Sequence, residues 1–147
     1  KLKYLLFSAN KIVEWKINKI KIMNFLVIDG AQDKINFFSH FNNNSYNKSF
    51  EASKNNNDKF STLLFGFINK NNINLSELNN IFINQGPGKF SGIRTSIAVA
   101  KALSITNRLN LYGFSAHDVK DMNYMNIIDL YKKGYLTKNL IKPVYSS

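Results

Sequence analysis

An α/β fold built on a mixed sheet is what this sequence predicts, and three features predict it. Residues 25–28 form an unbroken apolar run closed by Asp29-Gly30, residues 60–68 carry an apolar stripe of helical period, and residues 81–83 run through Gly86-Pro87-Gly88 into a small-residue helix. The first run reads as a central strand and Asp29-Gly30 as its turn. Residues 34–41 and 45–50 read as two further strands joined at Asn42-Asn43-Asn44, giving an antiparallel three-strand meander. Asn55, Asn56 and Asn57 break that pattern, and Asp58 is placed to cap a helix in which Phe60, Leu63, Leu64, Phe67 and Ile68 share one face. A short turn over 75–78 leads to the fourth strand. Ser91 is the expected N-cap of the next helix, in which Ser96, Ala98, Ala100, Ala102 and Ser104 keep the profile slim and Ile93, Ile97, Val99 and Leu103 supply burial. A fifth strand over 109–114 completes the order β-β-β-α-β-α-β, with helices covering the faces of the sheet.

Composition narrows the function. The 147 residues include 20 Lys plus Arg against 9 Asp plus Glu and no Cys, so a disulfide framework, a thiolate metal cluster and a cysteine nucleophile are excluded. No apolar run reaches the roughly 18 residues of a membrane span. A net charge of +11 invites a polyanion partner, but 23 Asn, 18 Lys and 16 Ile beside 2 Arg and 7 Ala fit an A/T-rich coding sequence and a solvated Lys/Asn surface. Residues 1–22 hold 6 Lys and 1 Glu, which leaves +6 for the rest. Met23 is read as the natural start and 1–22 as upstream sequence translated in frame; a basic amphipathic arm that touches membrane or RNA is the rival.

The segment from Gln85 to Arg94 is the most informative. It is neither a P-loop, since Phe90 stands where Ser or Thr is required, nor a dinucleotide fingerprint, since Ser91 replaces the third Gly. A strand entering Gly86, Gly88 and Gly92 at a helix start could still aim N–H groups at an anion, or the glycines could serve close packing of helix on strand. Asp29, at a strand end, could hold Mg²⁺ through water. His40 and His117 lack the spacing of a triad or a metal pair and read as ordinary surface or capping residues. Arg94, Lys101 and Arg108 recur every seven residues, as a solvated stripe or as one that meets an acidic protein or a tRNA backbone. Phe65 falls off the main stripe of its helix, so the helix either has a second burial surface, hence a subunit interface, or is sunk in the chain's own core.

Residues 75–115 carry a family resemblance. Leu75, Leu78, Ile81, Gly86, Pro87, Gly88, Phe90, Gly92, Ile93, Arg94, Ala100, Lys101, Leu103, Gly113 and Ser115 stand where the bacterial tRNA threonylcarbamoyladenosine biosynthesis protein TsaB (YeaZ-like) family has its core pattern. Residues 26–29 resemble its opening strand and residues 143–145 its closing P-x-Y. Lys89, Thr95-Ser96 and Gly30 depart from the pattern, at positions that bear on phosphate binding. The resemblance implies an actin-like, ribonuclease H-like ATPase lobe over 23–115 and a strongly truncated second lobe over 116–147, reduced to one helix near 121–133. It implies a cytoplasmic, non-catalytic scaffold subunit without catalytic or metal-binding residues or a cofactor of its own. Such a subunit binds a catalytic TsaD-like protein in the complex that adds threonylcarbamoyl to adenosine 37 of tRNAs reading codons that begin with A. ATP is used by the partners, a TsaE-like ATPase can join, tRNA is met through the complex, no membrane is involved, and a homodimer is open to the chain when alone. The implied partner surface comprises Phe60, Leu63, Leu64, Phe67, Ile68, Ile93, Arg94, Ile97, Ala100 and Lys101. Asp29, Gly86, Gly88 and Gly92 are the nucleotide-site candidates. An ATP-binding lobe with phosphotransfer or hydrolysis of its own, or a basic RNA-binding module, are the rival readings.

Overall fold

The computed structural model describes residues 23–138 and 140–146, so both readings of residues 1–22 lie outside the described residues. Six strands form one sheet in the order β3-β2-β1-β4-β5-β6. They are β1 (Phe25–Asp29), β2 (Lys34–Phe41), β3 (Asn44–Glu51), β4 (Asn80–Asn84), β5 (Asn110–Phe114) and the two-residue β6 (Thr137–Lys138). β1 to β3 form the expected antiparallel meander, β4 and β5 run parallel to β1, and β6 returns antiparallel on β5. β1 is apolar from Phe25 to Ile28 because both faces of the sheet are covered. Leu26 and Ile28 point into one cluster, Phe25 and Val27 into the other.

The β2–β3 hairpin turns on Asn42 and Asn43, whose φ values of 49° and 66° lie in the left-handed region. Asparagine tolerates that region better than most residues, and two such residues give the turn whose twist matches the flanking strands. Helices α1 (Lys54–Asp58), α2 (Phe60–Lys70) and α3 (Phe90–Asn107) belong to the first face, and α4 (Asn126–Lys132) to the second.

Four boundaries differ from the sequence reading. The Asn run does not break the chain but forms α1, because Ser53 caps it by accepting from the Asn56 amide at 3.1 Å. Asp58 ends that helix instead of starting the next. Lys89, not Ser91, is the N-cap residue of α3, and its side chain makes no capping hydrogen bond. The last helix begins at Asn126, since Asp121 and Met122 adopt positive φ of 52° and 55° and cannot continue a right-handed helix. β6 had no sequence signal, being two exposed residues long.

Candidate functional site

Asp29, at the carboxyl end of β1, is fully buried. Its Oδ1 accepts from the Ala31 backbone N–H at 3.1 Å and from Asn84 Nδ2 at 3.0 Å. Its Oδ2 accepts from Gln32 Nε2 at 2.6 Å and from the Tyr124 hydroxyl at 2.7 Å. Burial raises the Asp29 pKa above the ordinary carboxylate range, and these four hydrogen bonds oppose that shift. The Tyr124 hydroxyl is held above its own ordinary value, first by burial and then by the Asp29 charge. Four donors converge on two oxygens, so the carboxylate's acceptor capacity is spent inside the protein. These donors give Asp29 a structural use, tying β1 to the β1–β2 turn, to the end of β4 and to the segment just before α4.

Asn84 passes this arrangement on to the glycine turn, since its Oδ1 accepts from the Gly86 amide at 2.9 Å. The Gly88 amide donates to Val144 O at 3.2 Å, the Val144 amide to Gln85 O at 2.7 Å and the Ser146 amide to Gly88 O at 2.9 Å. The C-terminal segment thus lies along the turn as a short parallel bridge between Gly88 and Tyr145. A Cβ on Gly86 would sit 2.2 Å from Val144 O, one on Gly88 2.3 Å from Ala31 O, and one on Gly92 2.6 Å from Gly30 O. The three glycines serve the close-packing role, because no side chain fits between these backbones. The Gly86 and Gly88 amides that could have met an anion are occupied by Asn84 and Val144. The first turn of α3 opens on a surface cavity of about 340 Å³ lined in part by Lys54, Lys89, Ser91 and Thr95. Lys54 there pairs with Asp58 at 3.3 Å.

The implied partner residues divide sharply. Phe60, Leu64, Phe67, Ile68, Ile93, Ile97 and Ala100 are buried in the chain's own core. This corrects their placement on a partner surface: an amphipathic stripe points first at the sheet its own helix covers. Leu63 is half-buried, while Arg94 and Lys101 are exposed. The residue singled out as off-stripe is the one that reaches solvent, Phe65 at 43% exposure. Beside it runs an open groove of about 380 Å³ between α2 and α3, whose lining includes Ser61, Ala98, Ala102 and Thr106. Ile105, exposed to 76%, stands on the same side of α3 as Ala98, Lys101 and Ala102, by helical spacing. Arg108 lies beyond the end of α3, at a φ of 53°.

His40 is buried rather than on the surface. Its Nδ1 lies 3.1 Å from Ser45 Oγ, its ring stacks on Phe25, and burial lowers its pKa. His117 is exposed in a turn capped by Ser115. Among the described residues no group of three or more His, Asp or Glu side chains is placed to hold a metal, and no helix is long and apolar enough to cross a membrane. Sequence reasoning missed Asn84 and Tyr124. Asn84 closes a strand in an Asn-rich chain and so gives no signal, and Tyr124 lies 95 residues from its partner Asp29.

A meander followed by two parallel strands, with helices on both faces and the glycine turn closed by the chain's own tail, defines an actin-like, ribonuclease H-like lobe. Solved structures share this fold. YeaZ from Pseudomonas aeruginosa matches with a TM-score of 0.59 and 16% identity over 64% of this chain and 44% of that one. A protein described as similar to peptidase YeaZ from the same organism matches with the same figures. The family model for TsaD, tRNA N6-adenosine threonylcarbamoyltransferase, matches residues 45–120, just over half of the chain. The chain belongs to that family, and within it is TsaB-like. It is 44% identical over 43 residues to the tRNA threonylcarbamoyladenosine biosynthesis protein TsaB of Buchnera aphidicola subsp. Schizaphis graminum, covering 29% of this chain and 20% of that protein. It is 35% identical over 63 residues to the TsaB of Buchnera aphidicola subsp. Baizongia pistaciae, covering 43% and 28%. The chain therefore spans between a fifth and three-tenths of the curated relatives it matches.

Proposed function

We propose that this chain is a non-catalytic scaffold subunit of the machinery that places threonylcarbamoyl on adenosine 37 of tRNAs reading codons that begin with A. It binds a TsaD-like catalytic subunit through the outward face of α2 and α3. The observation that carries this reading is the exposed Phe65 on the groove between α2 and α3, beside the small residues Ser61, Ala98 and Ala102. Such a face lets a partner helix approach closely around an aromatic anchor, while Arg94 and Lys101 supply a charged margin. The names of the curated relatives support the pathway. The saturated Asp29 and the occupied glycine turn support a role without catalysis and without a nucleotide or metal of its own, ATP being used by the partners. A TsaE-like ATPase and tRNA join through the complex, in the cytoplasm.

The test is light scattering after size exclusion on the chain, alone and mixed with the TsaD-like protein of the same organism, with Phe65→Asp as the variant. A one-to-one complex that Phe65→Asp abolishes is the expected result. Two unshifted peaks from the unaltered proteins would refute the scaffold reading.

A further inference from the structure

β3 is a terminal strand of the sheet, so among the described residues its outer backbone edge has no strand partner. On the helix side of that edge, a cavity of about 230 Å³ opens between β3 and α2. Its apolar lining is Phe50, Leu63 and Phe67, and the exposed Lys48 and Lys70 stand at its margin. Gly66 lines it, and a Cβ there would meet nothing within 4 Å. A cavity below the roughly 300 Å³ of small-molecule sites suits one large side chain better than a cofactor. The charges around it are of one sign. The ion pairs among the described residues are Lys34 with Glu51 and Lys54 with Asp58, so neither Lys48 nor Lys70 is matched by a carboxylate. Lys48 lies opposite Phe37 in the register, on the helix face, with its Nζ 5.6 Å from the centre of the Phe50 ring.

We propose that this edge and cavity form a docking site for an acidic peptide segment of a partner protein. The segment adds as a strand along β3, places one aromatic or aliphatic side chain in the cavity, and sets carboxylates against Lys48 and Lys70. Because side chains alternate along a strand, the apolar and acidic residues that meet this face must be two positions apart. The site is separate from the helix-pair face around Phe65 and does not depend on it.

The probe is a nine-residue peptide with phenylalanine at its centre, aspartate two positions to either side and threonine elsewhere, titrated against the isotopically labelled full chain by NMR. Amide shifts confined to β3 and α2 are expected, with affinity falling about tenfold or more when Lys48→Glu and Lys70→Glu are combined. Gly66→Leu fills the cavity from an exposed helical position, so it should abolish binding while thermal stability is kept. Phe65→Asp should leave peptide binding unchanged. Equal binding of a peptide with lysine in place of aspartate, shifts elsewhere, no binding, or unchanged binding by Gly66→Leu would overturn the proposal. Concentration-dependent shifts in β3 without peptide would name a second copy of the chain as the occupant and overturn it as well.

Discussion

Replacing Asp29 by Ala removes the acceptor on which four donors converge. The Gln32 amide is half-exposed and can turn to water, but the Ala31 amide, the Asn84 amide and the Tyr124 hydroxyl are buried. A buried donor without an acceptor costs about 1–3 kcal/mol, so three of them cost about 3–9 kcal/mol. Against this, the variant no longer keeps a carboxylate away from water, a penalty large enough to raise the Asp29 pKa despite its four hydrogen bonds. The net loss expected is about 3–5 kcal/mol, a large fraction of a domain's stability.

Asp29→Asn separates charge from shape. Its oxygen can accept from Ala31 and Asn84, its amide can donate to the Tyr124 oxygen, and Gln32 can turn end for end, so the expected loss is under about 1 kcal/mol. Equilibrium unfolding in urea measures both, with an unchanged denaturant slope showing that the compared states are the same. An Asp29→Ala variant within about 1 kcal/mol of the unaltered chain would refute the reasoning, as would an Asp29→Asn variant as unstable as Asp29→Ala.

The same carboxylate makes stability depend on pH. Its folded pKa is raised, so its contribution is fully present below the ordinary value of 3.8 and is lost as pH rises through the folded pKa. Unfolding free energy measured from pH 4 upward should therefore fall less steeply in Asp29→Asn than in the unaltered chain. Phe65→Asp should cost about 1–2 kcal/mol, since the ring is partly covered, and leave the chain folded, whereas Leu64→Asp should unfold the chain by burying an unpaired charge. Circular dichroism of the two variants beside the pairing assay distinguishes a lost interface from a lost fold. Gly88→Ala forces a Cβ against the Ala31 carbonyl at 2.3 Å, backbone that cannot swing aside, and should cost about 1–3 kcal/mol in the same urea assay.

The fold was legible where burial imposes a period. β1, β4 and the stripe of α2 are buried on predictable faces, and the sequence reading placed them within a residue or two. It misread places where one hydrogen bond or one dihedral decides. Ser53 turns an asparagine run into a helix, and left-handed Asp121 and Met122 delay α4. The site was legible only in outline. The glycine turn and Asp29 stood out as residues, but their use is set by contacts with Val144 and Tyr124, 56 and 95 residues away in the chain from Gly88 and Asp29. No local spacing encodes such pairings. The stripe assigned to a partner shows the converse limit, since periodicity identifies an apolar face without saying which surface covers it. Phe65 was the better guide because it broke the period. A large apolar side chain that its own sheet cannot reach must be covered by something else or remain in water, and that asymmetry gives the helix-pair face its claim as the place where a partner binds.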